Sequence, residues 1–425
     1  MREMKDSGIE WIGQIPTGWE LRRAKTLFMQ RNSKGNEIEV LLSPTQKYGV
    51  VPQSQLEGVV QVKEDTDLQM FKTVHKGDFV ISLRSFQGGF EYSLYEGVCS
   101  PAYQVFYPTS PICDTYYRYL FKSQSFISKM NNLTVGIREG KNIQYVDFAN
   151  SQIPVPPLAE QERIAAFLDA ECAEIDAVLE KTRASIEEYK KLKQAVITQA
   201  VTKGIRGDRP MKDSGIEWIG NIPAGVPISR VGLHFDIVLG KMLCSAPVDD
   251  NYTLESYYCA ADVHFEGLSN GEKKKMWFSP DEKEQYCVKN GDLLVVEGGA
   301  GAGGCAIAVS TDVPIYIQNS IMIVRSKGIS NIRYLRYLLE CLVKKGYIDV
   351  VCNKATIPHF TKDKLANVPF IVFSQSEQEG IAEYLNEKCA GIDDLIAKKQ
   401  QYLTEIENYK KSLIYEYVTG KKEVV

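Results

Sequence analysis

The segment EQERIAAFLDAECAEID, at residues 160–176, occurs a second time as EQEGIAEYLNEKCAGID at residues 377–393. Each copy opens a long stretch rich in Ala, Glu, Lys, Leu and Ile, and most of these are strong helix formers. The first stretch contains no glycine or proline between Pro157 and Gly204. The repeat therefore predicts two long helices in equivalent places in the chain.

Apolar residues recur every three to four positions along both stretches, which is the spacing of one face of a helix. In the first stretch they are Ile164, Leu168, Ile175, Val178, Leu179, Ile186, Tyr189, Leu192 and Val196. In the second they are Ile381, Leu385, Ile392, Leu395, Ile396, Leu403, Ile406, Tyr409 and Leu413. Because a long exposed amphipathic helix is unstable alone, we expect the two to pair as an antiparallel coiled coil. Two separate helical linkers are the alternative.

A second repeated segment lies before each predicted helix, separated from it by a stretch about as long as a domain. MKDSGIEWIGQIP at residues 4–16 returns as MKDSGIEWIGNIP at 211–223, with Gln14 against Asn221 as the only difference. The regions that follow, roughly 17–155 and 224–375, share little identity but share an order of patterns. The chain therefore carries two similar frames with two different inserts, which predicts one kind of task performed on two targets.

Both inserts show the pattern of a mixed α/β domain with short strands. KGDFVISLRS at residues 76–85 and NGDLLVVEGG at 290–299 each place a turn before an alternating strand, and glycines follow. A strand-like run comes next, at residues 98–108 and 315–326, followed by helical patterns, a polar loop and a proline-marked strand. We interpret the inserts as two versions of one domain.

Composition excludes several classes of protein. The 425 residues include 50 basic and 54 acidic side chains, so the net charge of −4 weighs against a strongly DNA-binding surface. Ten cysteines without a CxxC pair, and only four histidines, predict reduced thiols in a cytoplasmic protein and no zinc site. The charged start MREMKDSG predicts no signal peptide, and no apolar run approaches the ~18 residues of a membrane span.

The order of these elements resembles the specificity subunit of type I restriction–modification enzymes over essentially the whole chain. The motifs that carry the resemblance are the WIGxIP boxes at 11–16 and 218–223, Gly77-Asp78 and Gly291-Asp292, IPVPPLAEQERIAAFLD at 153–169 with its weaker copy PFIVFSQSEQEGIAEYLN at 369–386, and the helix ends AVITQAVTKG and SLIYEYVTGK. The second half departs from the family pattern: Val226 and Pro227 replace an aromatic, and Ser374, Gln375 and Ser376 stand where prolines are usual.

The resemblance implies an α+β protein with two mixed α/β target recognition domains in tandem, each followed by a long family-conserved helix, the two helices pairing as an antiparallel coiled coil. The expected boundaries are 1–156 for the first domain, 157–204 for the central helix, 205–375 for the second domain and 376–425 for the C-terminal helix.

It also implies a non-catalytic role in DNA recognition. Each domain would read one half of a bipartite, asymmetric site in double-stranded DNA, with the helices setting the gap. The implied partners are two methyltransferase (modification) subunits, which methylate adenine, and restriction (motor–nuclease) subunits in the full complex. S-adenosylmethionine, ATP and Mg would be bound by those partners, with no cofactor in this chain and no membrane association.

Catalytic alternatives have weak support in the sequence. An adenine methyltransferase needs a (D/N/S)PP(Y/F/W) loop, and the nearest stretch is VPPL at residues 155–158. EGGAGAGG at 297–304 is not followed by the Gly-Lys-Ser/Thr of a P-loop, so we interpret it as a strand-end turn near DNA or a ligand, with a plain structural turn as the alternative. SPDEK at 279–283 lacks the strand context of a nuclease site. A coiled-coil scaffold without specific DNA recognition is the main alternative, and a standalone repressor-like DNA binder is another.

Candidate DNA contacts are polar and basic residues in loops, because Lys and Arg contact phosphates and Arg, Lys, Asn, Gln, Ser and Thr read bases. In the first domain they are Gln46, Lys47, Tyr48, Arg84, Ser85, Gln87, Arg138, Lys141 and Asn142. In the second they are Lys273, Lys274, Lys275, Asn353, Lys354, Thr356, His359 and Lys362.

Overall fold

A computed structural model describes residues 2–35, 37, 40–56, 67–82, 89–134, 143–352 and 358–424. The chain divides into two compact units. The first unit comprises Met1–Arg183 with Gln400–Val425, and the second comprises Ala184–Lys399. Each unit combines one mixed α/β domain with one segment from each of two long helices.

The first unit contains short strands and three short helices before a long one. Its strands are β1 (Met4–Asp6), β2 (Gln14–Pro16), β3 (Glu20–Arg23), β4 (Phe28–Arg31), β5 (Leu41–Thr45), β6 (Gly49–Pro52), β7 (Lys72–Val74), β8 (Phe79–Ile81), β9 (Phe90–Tyr92), β10 (Gly97–Cys99), β11 (Gln104–Pro108) and β12 (Gln152–Val155). Its helices are α1 (Asp114–Lys122), α2 (Gln124–Thr134), α3 (Tyr145–Asn150) and the start of α4 (Leu158–Lys203).

The first unit has two four-stranded sheets. One is antiparallel in the order β4-β11-β8-β9, and the other has the order β6-β5-β10-β7 with β5 and β10 parallel. β1 pairs with β2, and β3 pairs with β12, which brings the end of the domain back to its start. The antiparallel sheet packs against α1 to α3 through buried aromatic rings, among them Phe28, Phe79, Phe106, Phe121 and Phe148.

The second unit repeats this plan. Its strands are β13 (Met211–Asp213), β14 (Asn221–Pro223), β15 (Ile228–Arg230), β16 (Phe235–Leu239), β17 (Thr253–Tyr258), β18 (Val263–His264), β19 (Gly267–Leu268), β20 (Lys274–Phe278), β21 (Leu293–Val296), β22 (Cys305–Ile307), β23 (Tyr316–Ile317), β24 (Ile321–Ser326) and β25 (Pro369–Ile371). Its helices are α5 (Val231–His234), α6 (Pro280–Tyr286), α7 (Ile332–Lys344), α8 (Tyr347–Val351), α9 (Lys362–Ala366) and the start of α10 (Gln375–Val418).

The sheets of the second unit correspond to those of the first. β16-β24-β21-β22 is the antiparallel four-stranded sheet, and β20-β17-β23 contains a parallel pair, β17 with β23. β13 pairs with β14 and β15 with β25, as β1 does with β2 and β3 with β12. The predicted tandem of two related mixed α/β domains, each followed by a long helix, is confirmed.

Two sequence runs that have the pattern of one strand each contain two strands of different sheets. The run at 98–108 holds β10 and β11, and the run at 315–326 holds β23 and β24. Turns interrupt both runs, with hydrogen bonds from Tyr103 N to Ser100 O and from Ile321 N to Gln318 O. Apolar residues flank each turn closely on both sides, so the pattern alone does not show the change of sheet.

The ends of the long helices are part of the domain cores. In the first unit Ile164 and Leu168 of α4 and Leu413 and Val418 of α10 belong to the same buried cluster as the aromatic rings. In the second unit Ile197 and Val201 of α4 and Ile381 and Leu385 of α10 lie in the core around α7. Each domain therefore buries the start of one long helix and the end of the other.

Within each unit the two helix segments run antiparallel. In the first unit Asp176 pairs with Lys410 at 2.6 Å and Arg183 with Glu407 at 2.6 Å, so position rises on one helix as it falls on the other. In the second unit Lys193 Nζ lies 2.6 Å from Asp393. These pairs are largely exposed and contribute less than about 1 kcal/mol each, so the buried apolar seam provides most of the stability. The predicted antiparallel pairing is confirmed, and the alternative of two separate linkers is wrong.

Two further features are the state of the cysteines and the apolarity of the helices. All ten cysteines are free thiols, and six of them are buried. Among the described residues no helix is both long enough and apolar enough to cross a membrane.

Candidate nucleic-acid interface

The Gly-Asp turn before the central strand is built alike in both domains. The buried carboxylate of Asp78 accepts hydrogen bonds from the backbone N–H of His75 at 2.8 Å and from Arg31 at 2.7 and 2.9 Å. Asp292 accepts from Lys289 N–H at 2.8 Å and from Arg325 at 2.8 and 2.6 Å. Each aspartate is fully engaged inside the domain, so the motif fixes the entry to β8 or β21 and has no free group for chemistry.

The strand that follows this turn runs to the edge of the antiparallel sheet that is formed by the ends of its strands, not by an outer strand. In the second domain β21 ends at Val296, beside the first residue of β24, and Glu297 N–H donates to the carbonyl of Ser320 at 2.8 Å. Residues 358–360 lie against the same edge: Phe360 N–H donates to Glu297 O and Gly299 N–H to Pro358 O. The glycine-rich turn and the segment containing His359 are thus adjacent, although about 60 residues of sequence separate them.

His359, one of the predicted contacts, lies on this adjacent segment. It forms a bridge with Gly298, and a Cβ on that glycine would lie 3.3 Å from His359 Nδ1, so a larger residue there would push against the ring. The His359 side chain is 62% exposed, and Nδ1 lies 3.5 Å from a carboxylate oxygen of Glu297. The imidazole therefore faces outward from the edge, on a backbone held by its neighbours.

The three predicted lysines of the second domain lie on or beside β20, in the other sheet. Lys274 and Lys275 are exposed. The ammonium of Lys273 lies 3.0 Å from Asp262, donates to Ser269 O at 2.7 Å and lies over the ring of Tyr258. Lys273 therefore holds a loop of its own domain, whereas Lys274 and Lys275 are exposed residues of β20.

Other predicted contacts divide between the described and the undescribed parts of the chain. Lys362 is exposed at the first residue of α9. Gln46, Lys47 and Tyr48 form the exposed turn between β5 and β6, where Lys47 Nζ lies 5.0 Å from the centre of the Tyr48 ring. The rest lie outside the described residues: Arg84, Ser85, Gln87, Arg138, Lys141, Asn142, Asn353, Lys354 and Thr356.

Comparison with known proteins identifies the family. Residues 16–188 and 266–407 match the family model described as the type I restriction modification DNA specificity domain, which together is more than half of the chain. The chain belongs to this family. The predicted resemblance, and with it the assignment as a DNA sequence-recognition subunit of this class, is confirmed.

Relatives within the family are distant in sequence. The chain is 27% identical over 303 residues to the MjaVIII specificity subunit of Methanocaldococcus jannaschii, covering 67% of this chain and 66% of that one. It is 24% identical to the putative MjaX specificity subunit of the same organism, over 97% of this chain and 96% of that one.

Solved structures share the fold. A chain from a structure of a type I restriction–modification system, described for its complex assembly and conformational transition, has a TM-score of 0.72 and 19% identity, covering 96% of this chain and 99% of that one. The HsdS subunit of Thermoanaerobacter tengcongensis has a TM-score of 0.54 and 17% identity, with 96% and 98% covered.

Two buried thiols of this specificity subunit are held in their protonated form. Burial raises the pKa of the Cys99 and Cys305 thiols to about 12, and a protonated thiol is a poor nucleophile. No group of three or more His, Cys, Asp or Glu side chains able to hold a metal ion occurs among the described residues.

Sequence reasoning missed one polar segment at this edge, the turn Gln318-Asn319-Ser320. It lies inside the run at 315–326 that has the pattern of a single strand. The one available signal was its composition, three consecutive polar residues between apolar ones, which favours a turn over a buried strand.

Proposed function

We propose that each domain of this specificity subunit reads one half of a bipartite, asymmetric DNA site and directs adenine methylation by partner subunits. The observation that carries the proposal is the duplication of the unit: two divergent domains are attached to the long helices through the same buried contacts. Tyr116 Oη donates to Val418 O at 2.8 Å, and Tyr334 Oη donates to Val201 O at 3.1 Å. A shared frame with different inserts suits one reaction at two different sequences.

The partners in this proposal are double-stranded DNA, two methyltransferase subunits and, for cleavage, motor–nuclease subunits. Equivalent helix surfaces in the two units support two equivalent docking sites, and the length of the paired helices would set the gap between half-sites. S-adenosylmethionine, ATP and Mg would be held by the partner chains, where the adenine is flipped out and methylated. A cytoplasmic location follows from such partners.

The subunit alone is expected to bind DNA weakly. Phosphate contacts dominate the affinity of DNA-binding proteins, and a net charge of −4 supplies little of that attraction. Tight binding would then require the basic surfaces of partner subunits. A tight, sequence-specific complex formed by the purified chain alone would contradict this part of the proposal.

The first experiment is to co-express the chain with its cognate methyltransferase subunit in a methylation-free host and map methyladenine across the genome. We expect a split motif, two short specific halves around a constant gap, that disappears when this chain is omitted. Methylation at one continuous motif, or none despite a stable complex, would overturn the two-domain model and favour the scaffold function.

A further inference from the structure

The turn Gln318-Asn319-Ser320 lies where several strand ends of the second domain meet. It links β23 of one sheet to β24 of the other. β16 ends beside the start of β24, with Leu239 in register with Met322, and β21 ends there with Val296 opposite Ile321. The turn is therefore at the same edge as the glycine-rich turn and His359.

The backbone of this turn is held on several sides. Asn319 N–H donates to Lys241 O at 2.8 Å, and Lys241 N–H donates to Ile317 O at 3.2 Å. The carbonyl of Ser320 accepts from Glu297 N–H at 2.8 Å. The approach is close enough that a Cβ on Gly240 would lie 2.4 Å from the carbonyl oxygen of Gln318. A turn pinned to two neighbouring segments keeps its side chains in a constant position.

The side chains of the turn are not all used inside the domain. Ser320 Oγ accepts from Ala260 N–H at 3.2 Å and donates to Gln318 Oε1 at 2.8 Å, which orients the Gln318 amide. Within the described ranges, the Asn319 amide makes no hydrogen bond through either its oxygen or its nitrogen. Asn319 is partly exposed. It thus combines a rigid backbone with an unused donor and acceptor.

We infer that Asn319 is a base-reading residue of the second domain, and that it recognises an A·T pair through the adenine edge in the major groove. A carboxamide can accept from adenine N6 and donate to N7 at the same time, a pairing that other base pairs do not offer. The inference rests on the proposed function, because it assigns one contact within the half-site that this domain reads.

The surroundings of Asn319 fit direct reading better than phosphate contact. Among described neighbours, Lys241 directs its ammonium inward to an ion pair with Glu282 and toward the rings of Tyr252 and Phe278. His359 supplies a second exposed polar side chain on the adjoining segment. Side chains that read bases discriminate best when their geometry is fixed before binding, and the backbone of this turn is fixed in that way.

The test compares methylation motifs made with Asn319→Ala and Asn319→Asp against wild type, in the full chain co-expressed with the methyltransferase subunit. Asn319→Ala should relax one base pair of one half-site, raising methylation at the other three bases there by about tenfold relative to the cognate base. Asn319→Asp retains the acceptor and loses the donor, so it should shift that position toward cytosine, whose N4 donates.

The other half-site, read by the first domain, should keep its sequence in every variant and acts as an internal control. Asn367→Ala is the matched control variant, because the Asn367 amide is used within the domain, to Arg230 and to the carbonyl of Asp363. It should leave the motif intact. Thermal unfolding of each variant checks that the domain remains folded.

The outcomes separate the two proposals. If wild type makes a split motif and both folded Asn319 variants make the same motif at every position, the assignment of Asn319 is overturned while the proposed function stands. If wild type makes no split motif, the proposed function itself fails. Loss of all methylation by the folded Asn319→Ala variant, with no relaxed position, would also count against base reading.

Discussion

The hydroxyl of Tyr116 donates a hydrogen bond to the backbone carbonyl of Val418 at 2.8 Å, across 302 residues of sequence. Both residues are fully buried. Val418 is the last residue of α10, where carbonyl groups lack partners within the helix. In the second unit Tyr334 does the same for Val201 of α4 and also donates to Ile371 O at 3.2 Å. A tyrosine from each domain thus satisfies the end of the helix that began after the other domain.

Replacing Tyr116 by Phe should lower the free energy of unfolding by about 1–2 kcal/mol, because a buried carbonyl loses its donor. Tyr117 is a matched control: it is equally buried, but its hydroxyl has no hydrogen-bond partner among the described residues. Tyr117→Phe should therefore be neutral or slightly stabilising. Urea unfolding of both variants measures the difference, and equal losses would contradict the role of the Tyr116 bond.

The Gly-Asp turns predict a second stability effect. Asp78→Asn or Asp292→Asn should each cost about 2 kcal/mol, because a charged hydrogen-bond pair with Arg31 or Arg325 is lost in a mostly buried setting. Asp250→Asn, at an exposed position, is the control and should change stability by less than about 0.5 kcal/mol. Methylation lost at 25 °C with unchanged stability would show instead that these aspartates act in recognition.

The departure at Val226 is compensated by an aromatic from elsewhere. In the first unit Trp19 donates from Nε1 to Glu160 at 3.0 Å and lies under the Arg2 guanidinium. Arg2 itself pairs with Glu160 at 2.5 Å. In the second unit Arg209 pairs with Glu377 at 2.7 Å but stacks on Phe373. The repeats align Val226 with Trp19 and Phe373 with Pro156. Each unit therefore keeps one aromatic ring against the arginine that pairs with the long helix. Trp19, near the start of the domain, supplies the ring in the first unit, and Phe373, at the end of the domain, supplies it in the second.

Trp19→Val should therefore destabilise the first unit by about 3 kcal/mol, since Pro156 does not fill the space as Phe373 does in the second unit. The Trp19 ring also packs under Gly420, where a Cβ would lie 2.9 Å from the ring. Val226→Ala removes far less volume and should cost about 1.5 kcal/mol. The two variants are compared by thermal unfolding, and a Trp19→Val variant as stable as wild type would disprove the compensation.

Lowering the pH should reduce the free energy of unfolding of the second unit, because Asp262 becomes protonated. Burial by itself raises the pKa of this carboxyl, but hydrogen bonds from Cys259, Ser269 and Lys273 outweigh burial and lower the pKa to about 2. A depressed pKa in the folded state contributes stability above the unfolded value of about 3.9, and the contribution is lost as pH falls from about 4 to 2. Urea midpoints of wild type and Asp262→Asn should therefore differ at pH 5 and converge toward pH 2.

Two neighbouring lysines should respond differently to removal. Lys273→Ala should lower the thermal stability of the subunit, because it removes the ion pair with Asp262 and the bonds to Ser269. Lys275→Ala should leave stability unchanged. If Lys275 contacts a phosphate, the assembled methyltransferase should also show a salt slope smaller by about 0.9. Fluorescence anisotropy over a range of salt concentrations measures the slope, and an unchanged slope would remove Lys275 from the DNA interface.

Some elements were predictable from local sequence and others were not. The pattern at 160–196 predicts α4 because helical periodicity depends on neighbours three and four residues apart. The Gly-Asp strand at 76–85 was predictable for a similar reason, although its later residues lie outside the described part of the chain. The turn at 318–320 was missed because apolar residues flank it directly on both sides, as they would in one longer strand. Likewise, no local pattern distinguishes Lys273, held by Asp262, from the exposed Lys275.

The sequence by itself determined the duplication and the two long helices, because repeats and helical periodicity can be read directly along the chain. It predicted the antiparallel pairing and the family only as expectations, with two separate linkers as the alternative to pairing. Only the tertiary structure decided which distant groups meet: Tyr116 at the end of α10, Phe373 in place of Trp19, and Asn319 beside the glycine-rich turn. Such contacts join segments tens to hundreds of residues apart, and they arise from the packing of whole elements against one another.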